Sequence, residues 1–436
     1  MRRVPSSFPL LLRGFIALAL TILTGCATEI IRNPVPAAAV ADLPPLVALE
    51  GGRTWGDEVP ADIRAEFKRH LPNMTRLAHE ARVTKNGKLQ VNILALSGGG
   101  PDGAFGAGVL TGWTQRGDRP EFHLVTGVSA GAIIAPFAFL DPDYDPVLKE
   151  IWTQYQTNQL LTPQILPGIL GGPALADTSP LRHLIAKYVD RAFLAKVAAE
   201  YRRGRVLTVG TTNLDAKRPV VWNMGEIALK GTPEAVELFR DVIQASAAIP
   251  GLFTPVNIKV VVNGRTYDEL HVDGGVTRQV YVAPLNVPYE QYNQFYSRPP
   301  QRRLFIIQNG KLTAEYEPVE EKTLPIAATS ISTLLTSQSR GDIYRIYRMA
   351  LDAGVDFHML AIPDTFQVQR KQAFDPVYQK ALFEEGVRLG RSPNAWSRSP
   401  PYLHPGQRLV IPQPTRKPER DAPPAGAAPT WNAFLQ

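Results

Sequence analysis

Short apolar runs alternate with longer stretches of helical periodicity along most of the chain. Residues 89–96 (LQVNILAL) are the clearest strand, because the run is apolar and glycines flank it. Helical stretches cover residues 178–202, 234–247, 323–352 and 374–389. The other predicted strands are FHLVTG and residues 205–214, 219–224, 258–264, 302–310 and 356–363. Strands that alternate with helices predict an α/β fold, with a mainly parallel sheet covered on both faces.

The first residues have a different pattern, typical of a targeting segment. Basic residues precede the apolar run 15–23 (FIALALTIL), which is too short to span a bilayer. The run ends at Cys26, the only cysteine of the chain, so no intramolecular disulfide can form. The sequence Leu23-Thr24-Gly25-Cys26 resembles a bacterial lipobox, in which the cysteine is lipidated. Ala27 follows it, and by that resemblance we expect an outer-membrane lipoprotein of the cell envelope.

Composition adds that the chain is globular and only mildly basic. Of the 436 residues, 44% are apolar and 20% are charged, which is ordinary for a folded enzyme-sized protein. Arg2, Arg3 and Arg13 lie in the targeting segment, and without these three the net charge falls from +7 to +4. No run of Lys and Arg marks a nucleic-acid face, so we exclude nucleic acid as a partner.

The pentapeptide Gly127-Val128-Ser129-Ala130-Gly131 lies between a predicted strand and a predicted helix. This context is typical of a nucleophile elbow, in which a serine stands on a sharp strand-to-helix turn. Glycines two residues to either side, Gly127 and Gly131, leave room for the neighbouring backbone. The free N–H groups at the start of the helix can stabilise an oxyanion. The pattern alone also fits a plain turn between a strand and a helix.

A second glycine-rich segment, residues 97–106 (SGGGPDGAFG), follows the strand 89–96. Consecutive glycines expose backbone N–H groups that can bind an anion, so this segment is a candidate oxyanion loop. A nucleotide site and a plain structural turn are the alternatives, and the acidic Asp102 would repel a diphosphate. No metal-binding or cofactor-binding motif is present, and we expect neither group.

The general base is predicted from the segment His271-Val272-Asp273-Gly274-Gly275. A carboxylate held at a strand end in a partly dry pocket gains proton affinity and can accept a proton from a serine hydroxyl. Asp273 is therefore the candidate base, although Asp-Gly is also a common turn. His271 is interpreted as a packing or orienting residue. An alternative of the α/β-hydrolase type would use Ser129 with a late histidine, His358 or His404.

In this chain order, GGGPDG, GVSAG and the Asp-Gly-Gly segment resemble the patatin-like phospholipase family, and the segment ASAAIPGLFTPV (residues 245–256) strengthens the likeness. The resemblance covers about residues 91–280. It implies a three-layer α/β/α fold and hydrolysis of lipid acyl esters by a Ser–Asp dyad, with Ser129 as nucleophile and Asp273 as base. It also implies that the oxyanion donors are the backbone N–H groups of Gly98, Gly99 and Gly100, joined by that of Ala130. One departure is Asp102, where many members have a basic residue.

These observations predict six segments: a signal peptide (residues 1–25), a lipid anchor and tether (26–56), an N-terminal helical region (57–90), a patatin-like catalytic core (91–285), a C-terminal α/β extension that completes the fold (286–411) and a flexible Pro/Ala-rich tail (412–436). The expected partner is a membrane lipid or lipid ester. The remaining alternative is a non-catalytic envelope lipoprotein that binds lipid or a protein partner.

Overall fold

The computed structural model describes residues 32–40, 52–58, 89–169, 171–282, 293, 296, 298–314, 316 and 318–401. The chain divides into two compact units, Met1–Pro401 and Tyr402–Gln436, and every described residue belongs to the first. The predicted signal peptide, Cys26, residues 59–88 of the predicted helical region and the predicted tail lie outside the described residues.

The described part contains the following elements. The strands are β1 (Arg53–Trp55), β2 (Gln90–Leu96), β3 (Leu124–Val128), β4 (Thr162–Pro163), β5 (Ala176–Asp177), β6 (Val206–Asn213), β7 (Arg218–Asn223), β8 (Val256–Val262), β9 (Arg265–Asp273), β10 (Gln301–Gln308) and β11 (Asp356–Ala361). The helices are α1 (Ala37–Val40), α2 (Gly103–Arg116), α3 (Ala130–Leu140), α4 (Asp145–Gln154), α5 (Thr157–Leu160), α6 (Ile165–Ile169), α7 (Ser179–Tyr188), α8 (Arg191–Arg202), α9 (Met224–Lys230), α10 (Pro233–Ser246), α11 (Thr323–Asp352) and α12 (Pro376–Arg391).

One large sheet organises the chain, in the order β1-β7-β6-β3-β2-β10-β11. The five strands β6, β3, β2, β10 and β11 are parallel to one another. On the β6 side the pairing becomes antiparallel. Strands β7 and β1 continue the sheet in the order given, whereas β9 pairs with β6 outside that order and β8 pairs with β9. The pairing of β6 with β9 places Thr211 opposite Asp273, so Asp273 lies at the edge where the parallel strands end. Ser129 follows β3 at the same edge.

Alternating residues of the central strands point into two separate cores. Leu94 and Leu96 belong to a large core formed with helices α2, α3, α4, α8, α10 and α12. Ile93 and Ala95 belong to a smaller core on the opposite face, formed with Ile343 and other residues of the second half of α11. Helices therefore cover both faces of the sheet, which is the predicted three-layer α/β/α arrangement.

Helix α11 is longer than the sheet that it covers. Thirty residues of α-helix extend about 45 Å, whereas the six residues of β11 extend about 20 Å. Only the second half of α11 packs on the sheet. The first half carries no charged side chain between Lys322 and Arg340, and Ile326, Ile331 and Leu334 are exposed. This half extends beyond the edge of the sheet at which Ser129 and Asp273 lie.

In the described part, the segments predicted as strands contain strands and those predicted as helices contain helices. Residues 89–96 correspond to β2, AGAIIAPFAFL is α3, and the predicted helix 323–352 is α11. The predicted helix 178–202 is two helices, α7 and α8, because the chain turns at Val189 and Asp190 caps α8. Strand β9 is absent from the predicted strands because charged residues interrupt its apolar pattern, although Asp273 was expected at a strand end. It nevertheless carries the candidate base.

Candidate active site

Ser129 stands on the turn between β3 and α3 with φ 53° and ψ −121°. A non-glycine residue at positive φ costs on the order of 1–3 kcal/mol, and such strain is found mainly at functional sites. The turn presents the side chain at the end of the parallel strands, directly before the N-terminus of α3. Only 5% of the Ser129 surface is exposed. The geometry is that of a nucleophile elbow.

The two glycines of the pentapeptide are required by close backbone contacts. A Cβ atom on Gly127 would lie 2.4 Å from the carbonyl oxygen of Gly131. A Cβ atom on Gly131 would lie 2.3 Å from the carbonyl oxygen of Leu96. Both distances are far below van der Waals contact, so the strand, the turn and the helix can approach this closely only without side chains. The structure thus explains the spacing seen in the sequence.

Ser246, at the end of α10, holds the elbow from behind. Its hydroxyl oxygen accepts a hydrogen bond of 2.9 Å from the backbone N–H of Ser129 and donates one of 2.6 Å to the carbonyl oxygen of Gly210. Ser246 is fully buried. Ser246 lies in the segment 245–256 that carries part of the family resemblance, but no role was predicted for this residue. Its place in that segment was the available signal.

The Asp273 carboxylate meets the Ser129 hydroxyl at the end of β9. It accepts a hydrogen bond of 2.7 Å from the backbone N–H of Gly275, and the Ser129 hydroxyl lies beside it. Burial removes the carboxylate from water and raises its pKa from 3.8 to about 7, although the Ser129 hydroxyl and the Gly275 N–H act in the opposite direction. Asp273 can therefore exchange a proton with Ser129 near neutral pH, which a general base requires.

The glycine loop between β2 and α2 supplies free amides, but not the full predicted set. Gly98 was predicted as an oxyanion donor, and this is wrong in the structure, because its N–H donates to the carbonyl oxygen of Gln279 at 2.9 Å. Among the described residues, the backbone N–H groups of Gly99, Gly100 and Ala130 have no hydrogen-bond partner. These three amides are the ones available to an oxyanion.

Asn309, directly after β10, fixes this glycine loop. Its backbone N–H and its side-chain amide both donate to Ser97, at 2.8 Å each, and its side-chain oxygen accepts from the N–H of Gly106 at 3.0 Å. A Cβ atom on Gly99 would lie 2.0 Å from the Asn309 carbonyl oxygen. The loop therefore packs directly on Asn309. No role was predicted for Asn309 from the sequence, because it belongs to no recognisable motif.

Asp102 does not face the oxyanion loop as a free charge. Its carboxylate accepts a hydrogen bond of 2.8 Å from the hydroxyl of Tyr378 on α12, and the Arg370 guanidinium lies 3.9 Å away. The acidic residue in place of the basic residue of many family members thus connects the loop to α12.

The contacts of His271 and His358 are with residues other than Ser129. The ring of His271 is fully buried, and its nitrogens contact the Thr211 hydroxyl at 3.0 Å and the Glu269 carboxylate at 3.2 Å. Glu269 in turn forms a buried ion pair with Arg53. His358 contacts Arg398 and the Asp356 carbonyl oxygen. His404 lies outside the described residues.

An apolar pocket opens at Ser129. It encloses about 830 Å³ of empty space, including solvent at its open mouth, and Gly100, Ser129 and Ala130 line one end of it. None of the described residues that line it is charged. Its walls are mainly aliphatic and aromatic, and include Ile133, Phe137, Leu161, Leu184, Ile243 and Phe253. A pocket of this size and lining suits an acyl chain whose carboxyl carbon lies at Ser129.

Comparison with known families decides the identity of this fold. Residues 94–285 match the model of the family described as patatin-like phospholipase. The chain contains a patatin-like phospholipase domain. The match confirms the resemblance that the motifs indicated, together with the predicted fold class. The presence of this domain supports a lipid ester hydrolase.

Two solved structures are similar to the chain at low identity. VipD from Legionella pneumophila is 12% identical with a TM-score of 0.33, over 70% of this chain and 68% of that chain. Human GIVD cytosolic phospholipase A2 is 13% identical with a TM-score of 0.35, over 78% of this chain and 63% of that chain. Similarity at this level says nothing about substrate. The comparison with curated proteins found no match.

Within the described ranges, no group of three or more His, Cys, Asp or Glu side chains is placed to hold a metal ion. In the same part of the chain, no helix has both the length and the apolar character needed to cross a membrane.

Proposed function

We propose that the protein hydrolyses acyl esters of lipids through a dyad of Ser129 and Asp273. The observation that carries the proposal is the position of the Ser129 hydroxyl on its strained turn beside the buried Asp273 carboxylate, whose pKa is raised to about 7. Asp273 accepts the hydroxyl proton while the Ser129 oxygen attacks the ester carbonyl carbon. The protonated Asp273 then gives the proton to the leaving alcohol, and an acyl-enzyme remains. In the second half of the reaction, Asp273 accepts a proton from water while the water oxygen attacks the acyl carbon. Asp273 then returns the proton to the Ser129 oxygen as the fatty acid leaves.

The negative charge that develops on the carbonyl oxygen needs hydrogen-bond donors. The free backbone amides of Gly99, Gly100 and Ala130 are the proposed donors. They lie at the same edge of the sheet as the Ser129 side chain. Amides fixed before the reaction stabilise an oxyanion without reorganisation, and one such donor contributes on the order of 10²–10³ in rate. The N-terminus of α3 adds its dipole at the same place.

The dyad is tested with a fluorophosphonate probe and a medium-chain p-nitrophenyl ester. We expect the probe to label wild-type protein at Ser129, and Ser129→Ala and Asp273→Asn to lose about 10³–10⁶-fold in ester hydrolysis. Asp356→Asn is the matched control, because this carboxylate lies on β11 at the opposite end of the parallel strands. Labelling that persists in Ser129→Ala, or an Asp273→Asn variant slowed only a few-fold, would contradict the dyad.

The Ser–His–Asp alternative predicts a different result. Substituting both His358 and His404 with Gln would abolish activity if either histidine were the base. We expect the double variant to retain most of its esterase rate, because His358 is engaged by Arg398 and Asp356 on β11. A loss comparable to that of Ser129→Ala would transfer the base to a histidine.

We further propose that the protein works at a lipid surface, as a lipoprotein anchored through Cys26 in the cell envelope. The lipobox-like segment before Cys26 supports the anchor. The first half of α11 is uncharged and exposes apolar side chains, which supports contact with lipid. This surface is near the candidate site, because Gln338 on the same helix donates a hydrogen bond to the carbonyl oxygen of Thr277, four residues after Asp273. Mass spectrometry of protein from a lipoprotein-processing bacterial host tests the anchor, since lipidation should disappear in Cys26→Ala.

A further inference from the structure

The side-chain amide of Gln279 is buried beside the dyad. Gln279 is 7% exposed. Within the described part of the chain, its amide nitrogen and oxygen form no hydrogen bond, yet neither atom is completely buried. Native proteins rarely bury a polar group that stays unpaired, because its desolvation is then not compensated. An apolar side chain of similar size would fill this space without that cost, so the amide is suited to a partner from outside the protein.

Two glycines of the site show where this amide lies. A Cβ atom on Gly275 would lie 2.3 Å from Nε2 of Gln279 and 3.0 Å from Oδ1 of Asp273. A Cβ atom on Gly98 would lie 2.4 Å from Oε1 of Gln279 and 3.2 Å from Cβ of Ser129. The amide therefore lies between the glycine loop after β2 and the segment after Asp273. Its nitrogen is on the Asp273 side and its oxygen on the Ser129 side.

The separation between Nε2 of Gln279 and Oδ1 of Asp273 suits a single water molecule. The two atoms are no farther apart than the sum of their distances from the Cβ position on Gly275, which is less than two hydrogen bonds of about 2.8 Å each. The hydrogen bonds of Asp273 in the described part include none to Gln279. A water molecule between them can accept a hydrogen bond from the amide N–H and donate one to the carboxylate.

The backbone of Gln279 fixes the start of this side chain. Its N–H donates a hydrogen bond of 2.8 Å to the buried carboxylate of Asp342 on α11, and its carbonyl oxygen accepts one of 2.9 Å from the N–H of Gly98. Gln279 is thus held to the glycine loop on one side and to α11 on the other. A group fixed in this way can orient a reactant with little further loss of entropy.

We propose that Gln279 is a further catalytic residue, whose side-chain amide holds the water molecule that hydrolyses the acyl-enzyme. The amide N–H donates to the water oxygen, and the water donates one hydrogen to Asp273. A lone pair of the water oxygen attacks the acyl carbon while the proton passes to Asp273. The bond between that carbon and the Ser129 oxygen then breaks, and Ser129 receives the proton. The inference rests on the proposed function, since it requires an acyl-enzyme on Ser129.

The test separates the two halves of the reaction with p-nitrophenyl decanoate. Nitrophenolate leaves without a proton, so acylation of Ser129 by this ester should not depend on Gln279. For Gln279→Met, which removes the amide at similar volume, we expect fluorophosphonate labelling at the wild-type rate and a rapid first release of nitrophenolate. The steady-state rate should then be about 10–100-fold below wild type, because the water is no longer oriented. Mass spectrometry of the intact protein should detect the accumulated decanoyl-enzyme. Gln301→Met, at the opposite end of the parallel strands, is the matched control and should change neither phase.

Equal slowing of labelling and of steady-state turnover in Gln279→Met, or no slowing of either, would overturn the inference. Gln279→Glu provides a second reading if the Met variant does not fold. A carboxylate at this position raises the pKa of Asp273, so kcat/KM should fall off at a higher pH than in wild type, and an unchanged pH profile would also overturn the inference. Wild-type protein that neither reacts with the fluorophosphonate nor hydrolyses the ester would instead contradict the proposed function.

Discussion

The backbone N–H of Ser129 donates a hydrogen bond of 2.9 Å to the hydroxyl of Ser246. The same hydroxyl donates to Gly210 on β6, so one buried side chain connects the elbow to the neighbouring strand. A residue in a strained conformation persists only when its surroundings fix it. Ser246 is one of the groups that fix Ser129, and its effect on the reaction is therefore indirect.

Substituting Ser246 with Ala should lower kcat more than it raises KM. The variant leaves the Ser129 N–H buried without a partner, which costs about 1–3 kcal/mol and loosens the elbow. We expect a loss of kcat on the order of 10-fold with the pocket unchanged, measured with a p-nitrophenyl ester. An unchanged kcat in a less stable protein would assign Ser246 a purely structural role.

The rate of hydrolysis should depend on pH through Asp273. The base acts only when it is deprotonated, and its pKa is raised to about 7 by burial. We therefore expect kcat/KM to fall as the pH decreases through about 7, with one proton responsible. The Ser129 hydroxyl lowers this pKa, so the carboxyl should titrate at higher pH in Ser129→Ala, as an infrared carboxyl band can report. A rate that stays constant from pH 8 to pH 5 would exclude Asp273 as the base.

The same raised pKa predicts a stability change in Asp273→Asn. The folded protein favours the neutral carboxyl, so this stabilisation is complete below the ordinary pKa of 3.8 and is lost as the pH rises through about 7. Above pH 7 the wild type must bury a carboxylate, which Asn avoids. The shift corresponds to at most about 4 kcal/mol. Asp273→Asn should thus unfold at higher temperature than wild type at pH 8.5, and the difference should shrink at pH 5.

Backbone strain at Ser129 predicts a difference between two inactive variants. Glycine adopts positive φ without the Cβ penalty, whereas alanine keeps it. Because Ser129 has φ 53°, Ser129→Gly should be at least as stable as Ser129→Ala in spite of the greater freedom of its unfolded chain. Urea denaturation of both variants measures this difference. A clearly less stable Gly variant would show that the elbow is not strained.

Asn309 should affect catalysis without touching the substrate. Asn309→Ala removes the side-chain hydrogen bonds to Ser97 and Gly106 that fix the loop bearing Gly99 and Gly100. We expect kcat to fall on the order of 10²-fold, because misplaced amides no longer meet the oxyanion. Fluorophosphonate labelling should slow in parallel. Unchanged kcat and labelling would mean that the loop is fixed without Asn309.

The sequence by itself determined the local features of the site. Gly127 and Gly131 mark the elbow because only glycine fits the close contacts there, so a geometric requirement appears as a residue pattern. The consecutive glycines after β2 mark a loop with exposed amides in the same way. Apolar runs such as residues 89–96 identify buried parallel strands, because both faces of those strands are covered. These signals lie within a few residues of one another along the chain.

Only the tertiary structure decided which distant groups meet. Gly98 fits the glycine pattern, yet its amide is occupied by the Gln279 carbonyl oxygen, 181 positions away along the chain. Asn309 and Ser246 reach the site from separate elements, and neither belongs to a catalytic motif. The proton affinity of Asp273 likewise depends on burial by the whole fold. Side chains brought together by packing leave no short-range pattern, because their partners are set by the order of strands in the sheet.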